Sequence, residues 1–248
     1  MCTVIILKRP EQPWPLLIGA NRDEMRGRPW LPPARHWQDR PNVVAGMDRL
    51  AGGSWLGLND EGVVAAMLNR MGTLGPQDGK RSRGELVLDA LDFADAVDAA
   101  ESLSHLSASA YRPFNMLIAD NRDAVWLRND GRSVQALPIP DGLSLLTAFE
   151  LNDEQDARIR HFRPLFTSAA APDPDGSDWT SWQTLLSTSA PHGLLDREAG
   201  LSFQLDNGFG TRSSALLALP AIERQGVPPV FLFAAGPPGQ ADYLPVAE

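Results

Sequence analysis

The sequence predicts an α+β fold, with antiparallel sheets and segregated helices. Two observations carry that prediction. Along 248 residues the pattern runs strands, helices, strands, helices, strands, without the regular strand–helix alternation that builds a parallel sheet. The strand-like runs are short, rich in β-branched and apolar residues, and bounded by turn chemistry. No internal repeat or composition break interrupts them, so the chain reads as one domain over residues 1–248.

Each element follows from its own pattern. Residues 2–8 (CTVIILK) and 15–20 (PLLIGA) read as a hairpin. Residues 26–37 (RGRPWLPPARHW) are rich in proline and arginine and lack a period, which predicts a long ordered loop. "SWLGLNDEGVVAAMLNR" (54–70) gives a strand, a turn at Asn59-Asp60-Glu61-Gly62 and a second strand, followed by a polar, glycine-rich loop. Ser82 stands three residues before Glu85, a capping-box spacing that predicts a helix start, and Asp92 is placed to open a second, alanine-rich helix. Residues 114–119, 124–128, 133–138 and 143–148 read as a four-strand meander. A helix over 153–166, a linker-like loop at 171–178 and a short helix near "WTSWQTLL" come next. The apolar strands 211–219 and 229–235 complete the pattern.

Composition excludes several classes. Apolar residues make up 43% and charged residues 21%, as in an ordinary globular chain. One cysteine rules out an intramolecular disulfide and suits a reducing compartment. The net charge of −9 and the absence of a lysine-rich run speak against a nucleic-acid surface. No run approaches the ~20 apolar residues of a membrane span, and the apolar "CTVIIL" is too short and wrongly flanked for a secretory signal. The expected setting is the cytoplasm. His36, His105, His161 and His192 lack metal-ligand spacing, and no metal site is expected.

Four features carry chemistry. Cys2 follows the initiator methionine directly. It is either a small apolar residue at the start of an edge strand or, once Met1 is trimmed, a thiol that shares its residue with an α-amine of reference pKa roughly 7.7–8.0, a base for its own side chain. "GANRDEMRGRP" (19–29) contains Asn21-Arg22-Asp23, which is good turn chemistry, and the tripeptide recurs in "ADNRDAVW" (119–126), where a hairpin turn explains it. In the first copy the charges continue through Glu24, Arg26 and Arg28 into an aromatic loop, and an Asp–Arg pair beside Cys2 would tune its thiol. Asn69 ends an apolar strand, where it either bonds its own loop or donates to an oxyanion. Arg212, Ser213 and Ser214 open a core strand behind glycines, and an arginine there needs a carboxylate or a ligand.

Together, "MCTVIIL", "GANRDE", "GGSWLGLNDEGVVAAMLNR", "SRGEL", "FNMLIAD" and "GTRSSALL" resemble the NRDE family, to which the transport-and-Golgi-organisation proteins belong. That family is in turn similar to the N-terminal-nucleophile (Ntn) hydrolases of the penicillin V acylase and bile salt hydrolase branch. The resemblance implies a four-layer αββα sandwich of antiparallel sheets. It also implies Cys2 as nucleophile, Asp23 as the group holding the α-amine, Asn69 as oxyanion donor and Arg212 as an arginine supporting the cysteine. Two departures stand out. The acylases carry an arginine three residues before their aspartate, where this chain has Ala20, leaving Arg22 as the substitute. The second polar donor of many family members falls near Ala148, so that it is either missing here or replaced by Asn152.

Two functions follow as expectations. One is a cysteine hydrolase of a linear C–N amide bond in a small molecule, needing no cofactor, with Trp30, Trp37 and Trp55 walling an acyl pocket. The other is a carrier on the same scaffold, in which haem or another flat, anionic, hydrophobic ligand is held. There the residues Asn21, Arg22, Glu24, Arg26 and Arg28 would bind its polar groups and Trp30 and Trp55 its faces.

Overall fold

The computed structural model describes residues 2–190 and 199–247. Met1 and His192 lie outside the described residues, and with them the question of Met1 removal and one histidine of the sequence reading. The chain divides into two compact units: Met1–Arg28 with Asp141–Val246, and Pro29–Pro140 with the two C-terminal residues. The first unit is thus discontinuous, where the sequence reads as one uninterrupted domain.

The first unit is built on a six-stranded antiparallel sheet: β1 (Thr3–Lys8), β2 (Leu16–Met25), β10 (Gly142–Leu146), β11 (Phe209–Leu219), β12 (Val230–Ala234) and β13 (Tyr243–Pro245), in the order β10-β1-β2-β11-β12-β13. Two helices, α3 (Ala157–Ser168) and α4 (Thr180–Leu186), bury Ile159, Phe162, Phe166, Trp182 and Leu186 with Ile5, Leu17, Leu145 and Leu216. These strand residues are the alternate positions of their strands, so one face of the sheet is committed to this core. Each fully buried side chain of this size contributes roughly 1.5–3 kcal/mol over its exposed state.

The second unit holds a seven-stranded antiparallel meander in chain order. Its strands are β3 (Trp30–Ala34), β4 (Val43–Asp48), β5 (Leu56–Asn59), β6 (Val64–Asn69), β7 (Phe114–Ala119), β8 (Ala124–Asn129) and β9 (Val134–Pro138). Helices α1 (Gly84–Ala90) and α2 (Ala96–Ser104) share its core through Leu86, Val87, Ala99 and Leu103 with Ala65, Met67, Met116 and Ile118. The motif segments "GGSW" and "SRGEL" meet here backbone to backbone: Ser54 N–H donates to the Gly84 carbonyl at 2.9 Å, and a Cβ on Gly53 would fall 2.4 Å from the Gly84 carbonyl carbon. Only glycine fits at that crossing.

Several expectations need correction. Residues 26–37 are not all loop: β3 forms as an edge strand, where Pro32 and Pro33 are tolerated at a register shift between Leu31 and Ala34. The four-strand meander holds for its first three strands only, because β10 pairs with β1 in the other sheet. The capping box does not form. Glu85 instead accepts from the Tyr111 hydroxyl at 2.6 Å and pairs with Arg81. The second helix is capped by Asp95, which accepts from the N–H groups of Val97 and Asp98, while Asp92 accepts from Arg40. The first Asn-Arg-Asp is not a turn but the continuation of β2. The second, at 121–123, is the β7–β8 turn that its sequence predicts.

Candidate functional site

The first unit gathers most of the sequence-predicted polar residues around the start of β1. Cys2 is half-buried beside β2, where the Asp23 backbone N–H points at its Sγ at 3.4 Å and the thiol lies 3.6 Å from the Asp23 carbonyl oxygen. The contact exists because β1 and β2 pair with Thr3 opposite Asn21, which brings the residue before Thr3 beside the segment that follows Asn21. Burial pushes the Cys2 thiol up from its ordinary range and the Asp23 carboxylate pushes it further, while the Arg22 charge pulls the other way. Burial thus disfavours the thiolate, the reactive form of a cysteine.

Asp23 faces away from solvent and is held from two sides. Thr211 donates its hydroxyl to Oδ1 at 2.8 Å, and Arg158 donates Nη1 to Oδ2 at 3.3 Å. The pair is buried, with side-chain exposures of 2% for Arg158 and 0% for Asp23. Thr211 reaches Asp23 because β11 pairs with β2 at that register, followed by a bulge at Arg212 before Ser213 meets Arg22. Gly210 makes the approach possible: a Cβ there would lie 2.4 Å from the Phe203 carbonyl oxygen.

The neighbours of this pair have distinct tasks. Asn21 donates its amide to the carbonyls of Leu186 and Leu201 at 2.9 Å each, tying β2 to α4 and to the 201 segment. Arg22 is buried with Nη2 3.9 Å from Glu24, and Arg28 Nε lies 3.6 Å from the same carboxylate. Glu24 also accepts from the Met25 N–H, and Arg26 donates its backbone N–H to the Gly208 carbonyl. Arg212, the bulge residue, donates Nε to the Glu24 carbonyl at 3.1 Å and Nη2 to the Gly208 carbonyl and to Gln204. Its partners are thus two main-chain carbonyls and the side-chain oxygen of Gln204. Asn152 adopts a left-handed backbone with φ 59°, accepts from the Leu145 N–H and donates to Ser144, so its amide serves to close the end of β10. Ala148 is buried.

The remaining predicted residues belong to the second unit. Asn69 ends β6, half-buried opposite Phe114, and within its own unit its side chain makes no hydrogen bond among the described residues. Trp30 and Trp55 pack edge to face with ring centroids 5.8 Å apart. Sequence reasoning missed Arg158 and Thr211. The signal for Arg158 was present: it shares the helical stripe of Ile159, Phe162 and Phe166, all buried, and an arginine in such a stripe requires a buried acceptor.

The model of the family "Transport and Golgi organisation 2" matches residues 1–219. The chain belongs to that family. Among its curated members, the Transport and Golgi organization protein 2 homolog of Homo sapiens is 37% identical over 112 residues and that of Bos taurus 34% over 110. In each case the match covers 42% of this chain but only 38% of the relative's length. The fold is shared with solved Ntn hydrolases. An N-acylethanolamine-hydrolyzing acid amidase orthologue from Caenorhabditis elegans superposes with a TM-score of 0.58 at 17% identity, over 87% of this chain and 92% of that one. A conjugated bile acid hydrolase from Clostridium perfringens gives 0.56 at 11% identity, over 99% and 92%. Penicillin V acylase from Agrobacterium tumefaciens gives 0.50 at 14%, over 94% and 83%. Family and fold class thus agree with the resemblance carried by the motifs.

Proposed function

We propose that the chain is a cysteine N-terminal-nucleophile amidohydrolase acting on a linear C–N amide of a small molecule. The observation that carries this reading is the thiol of Cys2 clasped by the main chain of Asp23, whose carboxylate is itself fixed by Thr211 and Arg158. A cysteine serving only as strand packing needs no buried charged pair beside it.

In the proposed reaction, removal of Met1 frees the α-amine of Cys2. That amine takes the thiol proton as Sγ attacks the amide carbon, and the proton passes to the departing amine nitrogen. The resulting thioester is hydrolysed by water, which returns the thiol. Asp23 serves to keep the amine cationic after proton transfer. Arg22 supplies positive charge near the thiol. The names of the structural neighbours, an acid amidase, an acylase and a bile acid hydrolase, support an amide as the bond class.

The test is an intact mass before and after exposure to an acylating probe at neutral pH. The expected result is a chain lacking Met1 that gains one acyl group, with the gain abolished in Cys2→Ala and slowed in Asp23→Asn. A chain that retains Met1 and stays unmodified removes the amidase reading. A Soret band on titration with haemin, saturating at one equivalent, would then favour the carrier.

A further inference from the structure

Arg158 occupies a position that no strand-end motif announces. It lies in the first turn of α3, two residues after the capping residue Asp156, whose carboxylate accepts from the Arg158 N–H at 2.8 Å. Its guanidinium is 2% exposed and its Cζ stands 5.6 Å from the centroid of the Phe203 ring. One nitrogen, Nη1, donates both to the Thr3 hydroxyl at 2.6 Å and to Asp23 Oδ2 at 3.3 Å. Thr3 is the residue after Cys2, and Asp23 is the residue whose N–H and carbonyl hold the Cys2 sulfur. A single guanidinium from a helix thus joins β1 and β2 on either side of the thiol.

We propose that Arg158 is a positioning residue for Cys2, fixing the thiol between β1 and β2 and neutralising the carboxylate behind it. The proposal rests on the reading of Cys2 as the nucleophile. Its physical content is twofold. An unpaired buried carboxylate at position 23 would oppose thiolate formation, and the guanidinium removes most of that opposition by sharing the charge. The Thr3 hydroxyl gives the same cation a second acceptor, so the start of β1 cannot swing without breaking a charge-assisted bond. Among the described residues the charges facing the thiol are Asp23 and Arg22 from β2, with Arg158 reaching Asp23 from α3.

The test measures the rate of Cys2 alkylation by iodoacetamide against pH in the full chain, with a melting temperature for each variant. In Arg158→Gln the midpoint of the profile is expected to move up by on the order of one pH unit. Arg158→Lys should return most of that shift, since it restores the charge. Thr3→Val removes one acceptor without unpairing a charge, and should move the midpoint in the same direction by less. It also stands in for Arg158→Gln if that variant does not fold. Variants that melt earlier while keeping the wild-type midpoint would overturn the proposal, as would a midpoint that moves down. Alkylation reads the thiol whether or not an amide is cleaved. Wild-type chain that alkylates with this profile yet resists the acylating probe would therefore count against hydrolysis and leave the role of Arg158 standing.

Discussion

The same tripeptide, Asn-Arg-Asp, occurs at 21–23 and at 121–123 and does opposite things. In the first copy it is extended strand, with Thr3 opposite Asn21, Ser213 opposite Arg22 and Thr211 opposite Asp23. In the second it is a turn. There Asp120 accepts from the N–H groups of Arg122 at 2.7 Å and Asp123 at 2.8 Å, and its own N–H donates to the Asp123 carbonyl. The difference begins one residue upstream. Asp120 has a side-chain acceptor that closes the turn, whereas Ala20 has none and leaves the backbone groups of Asn21 to Asp23 for strand partners on both sides. Burial follows from that choice: Arg22 and Asp23 are inside the sheet, while Arg122 is 51% exposed. The tripeptide itself carries no function. Its neighbours decide whether its charges meet a thiol or the solvent.

This comparison can be broken experimentally, and the largest effect belongs to the buried copy. Asp23→Ala leaves Arg158 as a buried cation without that carboxylate, and should cost about 3–5 kcal/mol in urea denaturation. Asp123→Ala, at an exposed turn position, should stay within about 0.5 kcal/mol. Next comes the residue that makes the turn. Asp120→Ala strips the acceptor from Arg122, Asp123 and the Ala96 N–H at the start of α2, and should cost about 1–3 kcal/mol by the same measurement. Arg122→Ala breaks a pair with Asp95 that is open to solvent, and should cost no more than about 1 kcal/mol, less still in high salt.

The smallest effect sharpens the turn half of the comparison. Asp130 repeats the Asp120 pattern in the β8–β9 turn, accepting from the N–H groups of Arg132 and Ser133 at 2.9 and 3.0 Å. The bonds from Ser133 and Arg132 hold its carboxyl down at about 2. Because the folded value is depressed, its contribution is fully present above the unfolded value of about 3.9 and is lost as pH falls through about 2. The difference in urea midpoint between wild type and Asp130→Ala should therefore be constant above about pH 5 and shrink below about pH 4. A difference that persists unchanged to pH 2 would mean that the ionised carboxylate is not what closes the turn.

Local pattern made much of the fold legible. The β5–β6 hairpin with its turn at 59–62, the first three strands of the 114–138 meander and the helix ending near Phe166 were readable because strand alternation, turn residues and helical spacing all act within a few positions. The errors share a different cause. Ser82 and Glu85 have capping-box spacing, yet Tyr111 and Arg81 claim the Glu85 carboxylate. Residues 143–148 look like the next strand of a meander, yet β1 offers its edge to the strand that forms there, Gly142–Leu146. In both cases a partner far along the chain outbid the local one.

What the sequence determined by itself is a set of residue types in place: a thiol at position 2, an aspartate within the second strand's polar run, an amide ending β6 and the motifs that place the chain in its family. These are written in residue type and short spacing, which the chain carries in one dimension. Only the tertiary structure decided who holds Asp23. Arg158 reaches it across 135 positions and Thr211 across 188, while Arg212 turns at its bulge toward the Glu24 carbonyl. No short-range pattern encodes such pairings. A buried carboxylate requires a donor, but which donor arrives depends on how α3 and β11 come to rest against β2.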